Sequence, residues 1–193
     1  MKTLAIATIV GAIILYIYLA IVHTVLSPLI HESDFKYTSD QDNILNSLSS
    51  LNLEDGVYHL PYPPPGTPMS EHGKMMMDRM GKPWAILMYH NEMTYGISAY
   101  IMSLIYNIIA VLIICIALAA ASNRLTSFGQ RLWFVMLFPL FILFASIMMG
   151  YNWDGFPMHF IRGQIIDIFA GYFLVGLWLA WYYGRLESKK VSA

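Results

Sequence analysis

Cysteine, charge and phosphate-binding glycine loops are what this chain lacks. Cys115 is the only cysteine among 193 residues, so an internal disulfide, a C-x-x-C redox pair, a thiolate zinc site and a C-x-x-C-H haem attachment are all excluded. Charged residues make up 12% of the chain, against roughly 25% in an average soluble domain. The formal net charge of −1 leaves no basic field for nucleic acid. No G-x-S-x-G elbow, H-E-x-x-H pair, Gly-rich phosphate loop or closely spaced pair of membrane carboxylates occurs. Disulfide exchange is therefore excluded, no catalytic residue is assigned, and a non-enzymatic role is the expectation.

Long apolar runs are what the chain has instead. Residues 4–22, 97–121, 132–149 and 165–183 are each about 18 residues or longer, enough to cross roughly 30 Å of hydrocarbon as helix. The expected fold class is all-α transmembrane: a four-helix membrane bundle with a small α/β extracytoplasmic cap between spans 1 and 2. Residues 1–26 form the first transmembrane helix, 27–96 the cap, 97–184 the remaining three spans, and 185–193 a cytoplasmic tail. Lys2, Arg124, Arg131, Arg185, Lys189 and Lys190 gather at one set of span ends, while the long first connection is acidic. Both termini are therefore expected in the cytoplasm, with the cap and the 150–163 loop outside. The first run exceeds the usual 7–15-residue signal core, carries Tyr16 and Tyr18 and lacks an A-x-A-like site, so it is expected to remain as a span rather than be cleaved.

Within the cap, residues 27–37 read as irregular. Thr38-Ser39-Asp40-Gln41 precedes Ile44, Leu45, Leu48 and Leu51 at helical spacing, which predicts a helix near 39–51. Asp55-Gly56 marks a turn into a strand at 57–60, and the 61–66 proline run must be extended. A second short helix is predicted from Thr67 to Met80, with Ser70 as N-cap and Gly81 past its end. The 84–89 segment reads as a strand that pairs with 57–60. Two strands are marginal alone, so the cap is expected to lean on the membrane helices or on a partner.

The stretch EDGVYHLPYPPPGTPM, followed by MMMDRMGKPWAILMYH and set between one span and three more, resembles a group of small bacterial four-span membrane proteins to which no activity is attached. The resemblance covers the cap and the order of spans. It implies a multi-pass protein of the bacterial inner membrane and carries over no functional residue.

Functional candidates are polar groups in or beside the hydrocarbon, where an ionisable side chain needs a partner or a purpose. Asp167 shares a helix face with Gly163 and Gly171. Its simplest reading is a helix-start carboxylate on a close-packing face; the alternatives are a proton- or cation-binding group, or a partner of Arg162 or a tyrosine. Asn107, on a face with Ser103, Ala110 and Ala117, reads as helix-contact glue worth about 1 kcal/mol. Ser103, Asn107, Gly163, Asp167 and Gly171 are thus the candidate binding residues. Gly11 and Ala7 give the first span a similar small face, and Pro139 predicts a kink in the third.

His23, His90 and His159 each fall at an outer membrane boundary, and methionines crowd the cap. Imidazole and thioether donors suit copper, and three converging histidines suit another divalent metal. The same methionines fit an ordinary packing face, and no histidine is placed to ligate a haem within the bundle. No cofactor is required by this reading. The leading expectation is an accessory or structural subunit of a larger envelope complex, bound to lipid and to other membrane subunits or to itself. The alternatives are a metal-handling or redox protein with an outer His/Met site, and a small oligomeric transporter using Asp167 and Asn107.

Overall fold

The computed structural model describes residues 2–94 and 96–191, the side chains of 189–191 excepted. Residues 192 and 193 of the expected tail lie outside them. Four helices are long and apolar enough to cross a membrane, together with a two-stranded sheet. The chain divides into two compact units, one of residues 1–36 with 96–193 and the other of 37–95.

The first unit holds the spans. Helix α1 runs Lys2–Thr24, and a single helical turn, α2, follows at Ser27–Ile30. The second span is α5, Ile97–Ala121. The third comprises α6, Phe128–Ile142, a wider i→i+5 turn at Leu143–Ile147, and α7, Met148–Trp153. The fourth, α8, runs Met158–Val191. Pro139 is buried inside α6, four residues before the wide turn. A proline that withdraws one amide donor is a known cause of such irregularity. The start of α6 is defined by a capping box that the sequence pass overlooked. Ser127 Oγ accepts from the Gln130 amide at 3.2 Å, and Gln130 Oε1 accepts from the Ser127 amide at 3.1 Å.

Helix α1 is the hub, packing against both α5 and α8, while α6 packs mainly on α8. Ala7, Ala12, Leu15, Val111, Ile114, Cys115, Leu118, Val135, Val175 and Leu179 form the buried core. Small residues let α1 approach both α5 and α8. A Cβ on Gly171 would lie 2.7 Å from Leu15 Cδ1, and one on Gly11 would lie 2.8 Å from Val111 Cγ1, so both glycines permit close helix approach. Polar tips are spent on carbonyls across helices: Trp178 Nε1 donates to Ala7 O at 3.1 Å and Tyr18 Oη to Ile166 O at 3.3 Å. Between 17% and 33% of each span's most apolar window is buried, so most of the remaining surface is apolar and faces lipid.

The second unit contains α3 (Gln41–Ser50), β1 (Gly56–Leu60), α4 (Met69–Met77) and β2 (Ala85–Tyr89). The strands pair antiparallel, from Gly56 opposite Tyr89 to Leu60 opposite Ala85, as the alternating apolar segments imply. Helix α4 is shorter than expected, and Ser70 lies inside it rather than capping it. Pro68 precedes the first turn, where a missing amide donor costs nothing. Gly81 has φ +77, a left-handed conformation that glycine adopts without penalty just past a helix.

Candidate metal centre

Residues 25–34, most of which fall in the 27–37 stretch expected to be irregular, turn the chain back beside α8. The Val25 and Leu26 amides both bond Ile21 O, closing α1, and Pro28 sits in the first turn of α2, where its lack of an N–H does no harm. The His31 amide then bonds Ser27 O at 2.8 Å and the Asp34 amide bonds His31 O at 3.0 Å. That second turn brings the side chains of His31 and Asp34 together. Two further ties hold this segment to α8: Arg162 Nη2 donates to Ser33 Oγ at 3.1 Å, and the Phe35 and Phe160 rings meet edge-on at 5.7 Å.

The result is a four-residue cluster at this end of α1 and α8. His31 Nδ1 lies 2.7 Å from Asp34 Oδ2, and its Nε2 lies 3.2 Å from Asp167 Oδ1. His23 Nε2 lies 3.2 Å from the other Asp167 oxygen, Oδ2. The two imidazoles stack at 4.4 Å between centroids, 18° from parallel. The side chains of His31, Asp34 and Asp167 are 9%, 9% and 13% exposed, whereas His23 is 54% exposed. One donor atom from each of His23, His31 and Asp167 falls within 4.8 Å of the others.

Gly163 makes room for this arrangement. A Cβ there would stand 2.7 Å from both Asp34 Oδ2 and His31 Nδ1, so no residue with a side chain fits without moving the cluster. The face of α8 that carries Gly163, Asp167 and Gly171 is therefore the face that α1 and the 25–34 turn cover. Asp167 is nonetheless no helix-start carboxylate, because α8 begins nine residues earlier at Met158 and the dipole effect fades within one turn. Its partners are histidines. Arg162 bonds Ile30 O and Ser33 Oγ instead.

The hydrogen-bond count exposes an unmet requirement. A neutral imidazole has one N–H and one bare nitrogen. If His31 gives its proton to Asp34, its Nε2 lone pair faces an Asp167 oxygen, and two acceptors at 3.2 Å call for a shared proton or a metal ion between them. Asp34 Oδ1 is also buried with no partner among the described residues. With neutral rings the cluster carries two carboxylate charges at low exposure, which a divalent ion would balance. Two imidazole nitrogens and one carboxylate oxygen are zinc-type or non-haem-iron-type donors.

Of the three histidines picked from sequence, only His23 belongs to this cluster. His90 lies in the other unit, exposed, with Nδ1 3.3 Å from Asp55 Oδ2. His159 is in the first turns of α8 and is not among the grouped donors. Sequence reading missed His31 and Asp34; the H-x-x-D spacing was their only signal, and it fell in a stretch with no periodicity. Of the other candidates, Ser103 is half-buried, while Asn107 is buried with Nδ2 lacking a partner among the described residues. The amide therefore does not donate the interhelical hydrogen bond expected of it.

No family model, curated protein or solved structure matches the chain.

Proposed function

We propose that this chain is a metal-handling integral membrane protein that captures a divalent transition-metal ion, of the zinc class, through His23, His31 and Asp167. The single observation behind this reading is the convergence of those three donor atoms within 4.8 Å, beside an Asp34 oxygen that has no partner among the described residues. Charge asymmetry of the loops supports an N-in, C-in four-helix bundle in the bacterial inner membrane, with the 37–95 unit and the cluster on the extracytoplasmic side. The protein would thus meet its ion outside the cytoplasm. The three converging donors are two imidazole nitrogens and a carboxylate oxygen, which suit zinc or copper(II) better than copper(I).

Metal analysis of protein purified in mild detergent and exposed to zinc tests the proposal. One ion per chain is expected, lost when His31→Ala or Asp167→Asn is introduced. A parent protein that retains no stoichiometric ion would remove the reading. A second reading follows from the same facing acceptors: a single shared proton also satisfies them, making the cluster a proton-binding site. Imidazole nitrogen NMR separates the two, since a metal-bound Nε2 carries no proton and a shared proton gives an imidazolium. The accessory-subunit role draws on the outward apolar faces of the spans, which lipid covers equally well, and gentle co-purification tests it.

A further inference from the structure

The two carboxylates of the cluster stand on different edges of the His31 ring. Asp167 Oδ1 faces Nε2 at 3.2 Å, and Asp34 Oδ2 faces Nδ1 at 2.7 Å. The Nδ1 and Nε2 lone pairs point away from opposite sides of an imidazole, so a carboxylate bonded at Nδ1 cannot also reach an ion held at Nε2. Asp34 therefore fixes the tautomer that leaves Nε2 bare, the arrangement by which an outer carboxylate orients a metal-binding histidine. No further His, Cys, Asp or Glu among the described residues joins the group of three donors. The chain supplies three ligands where a closed structural zinc site supplies four.

The side on which the fourth position falls follows from burial. His31, Asp34 and Asp167 are almost enclosed, and Gly163 is packed against the first two of them. His23 alone presents half of its side chain to the surroundings. An ion at this site is therefore open on the side of His23, which lies in the last turn of α1 at the end of its span. Resting on the metal-binding reading above, we propose that the ion keeps one exchangeable coordination position on the His23 side, which takes water or a small anionic donor from solution. Asp34 is then a positioning residue and not a fourth ligand. Such a site delivers or receives metal by ligand exchange; it does not lock the fold.

Cobalt(II) is the probe, because its visible absorption reports coordination number and ligand identity at a zinc-type site. The full chain in detergent is expected to bind one cobalt ion, and added azide is expected to shift the bands saturably as it replaces water. Asp34→Asn is expected to bind cobalt about 10–100-fold more weakly while keeping the azide response. Its melting temperature without metal shows that it is folded. Bands in the parent that azide does not move, with a response appearing only in Asp34→Ala, would make Asp34 the fourth ligand and overturn the inference. Parent-like cobalt affinity in folded Asp34→Asn would remove the positioning role. A parent that binds neither zinc nor cobalt sinks the metal reading itself, which is a separate outcome from a closed site.

Discussion

The two ends of α8 treat charge in opposite ways. Near its C-terminal end, Arg131 of α6 is 4% exposed, pairs with Glu187 and donates to Thr126 O at 3.0 Å. A Cβ on Gly184 would lie 2.9 Å from an Arg131 nitrogen, so the guanidinium packs closely against the helix. Positive meets negative, and the end is closed. Near its N-terminal end, Asp167 and Asp34 meet two imidazoles and, among the described residues, pair with no arginine or lysine; one carboxylate oxygen has no partner among them, and one histidine stays exposed. The first arrangement is satisfied as folded; the second has facing acceptors that a shared proton or, on the proposal above, a metal ion would satisfy.

The sharpest way to break this contrast is to remove one carboxylate from each end. Asp167→Ala is expected to lower zinc affinity by more than the roughly 100-fold that loss of an outer-sphere partner can cause. Glu187→Ala is expected to leave zinc affinity within about two-fold, since distant sites act independently. It should lower stability by about 1–3 kcal/mol through the lost charged hydrogen bond. Zinc competition with a chelator and thermal melting in one detergent read both effects. Loss of zinc in the Glu187 variant would erase the distinction between the ends.

Glycine substitutions sharpen the contrast next. An added methyl at Gly163 meets polar atoms of the cluster, while at Gly171 it meets Leu15 and Tyr18 carbons. Gly163→Ala is expected to weaken zinc binding by about ten-fold, in the range of other outer-sphere disturbances. Gly171→Ala is expected to cost about 1–3 kcal/mol of stability by overpacking, with zinc affinity unchanged. Equal zinc losses in the two variants would mean that helix approach as a whole, and not the local cradle, sets the site.

Much of this fold is legible because hydrocarbon imposes a long uninterrupted period. The four spans, the 56–60 and 85–89 hairpin and the shared face of Gly163, Asp167 and Gly171 all follow from spacing. The observed helices extend beyond the apolar runs, to Val191 in α8, because helical hydrogen bonding continues into polar sequence. The site was half legible. Asp167 and His23 stand out as polar groups against apolar helices, but His31 and Asp34 lie in a turn whose shape depends on Pro28, Arg162 and Phe160. A tertiary turn of that kind has no period to read. His90 and His159 illustrate the reverse error, since equal predicted depth does not place side chains together.

A smaller effect is expected within the hydrocarbon. Asn107 Nδ2 is buried without a hydrogen-bond partner among the described residues, unlike the Trp178 and Tyr18 tips that cross between helices to a carbonyl. Replacing Asn107 with Leu removes an unmet donor at similar volume, so stability is expected to change by less than about 1 kcal/mol. A loss of several kcal/mol on thermal melting would show that the amide holds the helices together after all.

The smallest effect belongs to the other histidine–aspartate pair, which serves as the control for chemistry without burial. His90 and Asp55 are 71% and 58% exposed, and Asp55 Oδ1 accepts from the Asn91 amide at 2.9 Å and from its side chain at 2.8 Å. The Asn91 backbone N–H, followed by the His90 ring, holds the Asp55 carboxyl below the usual range. A carboxylate whose folded pKa is depressed contributes stability above its unfolded value, about 3.9, and loses it as pH falls through the lower folded value. The Asp55–Asn91 tie beyond the strand ends should therefore loosen only in acid. Amide exchange at Asn91 is expected to show protection near pH 5 that fades toward pH 3, with Asp55→Asn removing the pH dependence. Zinc should leave this amide unmoved, because this exposed pair is not among the groups of three converging donors. Zinc-induced protection at Asn91 comparable to that at His31 would show that pairing alone, without burial and a third donor, selects the metal.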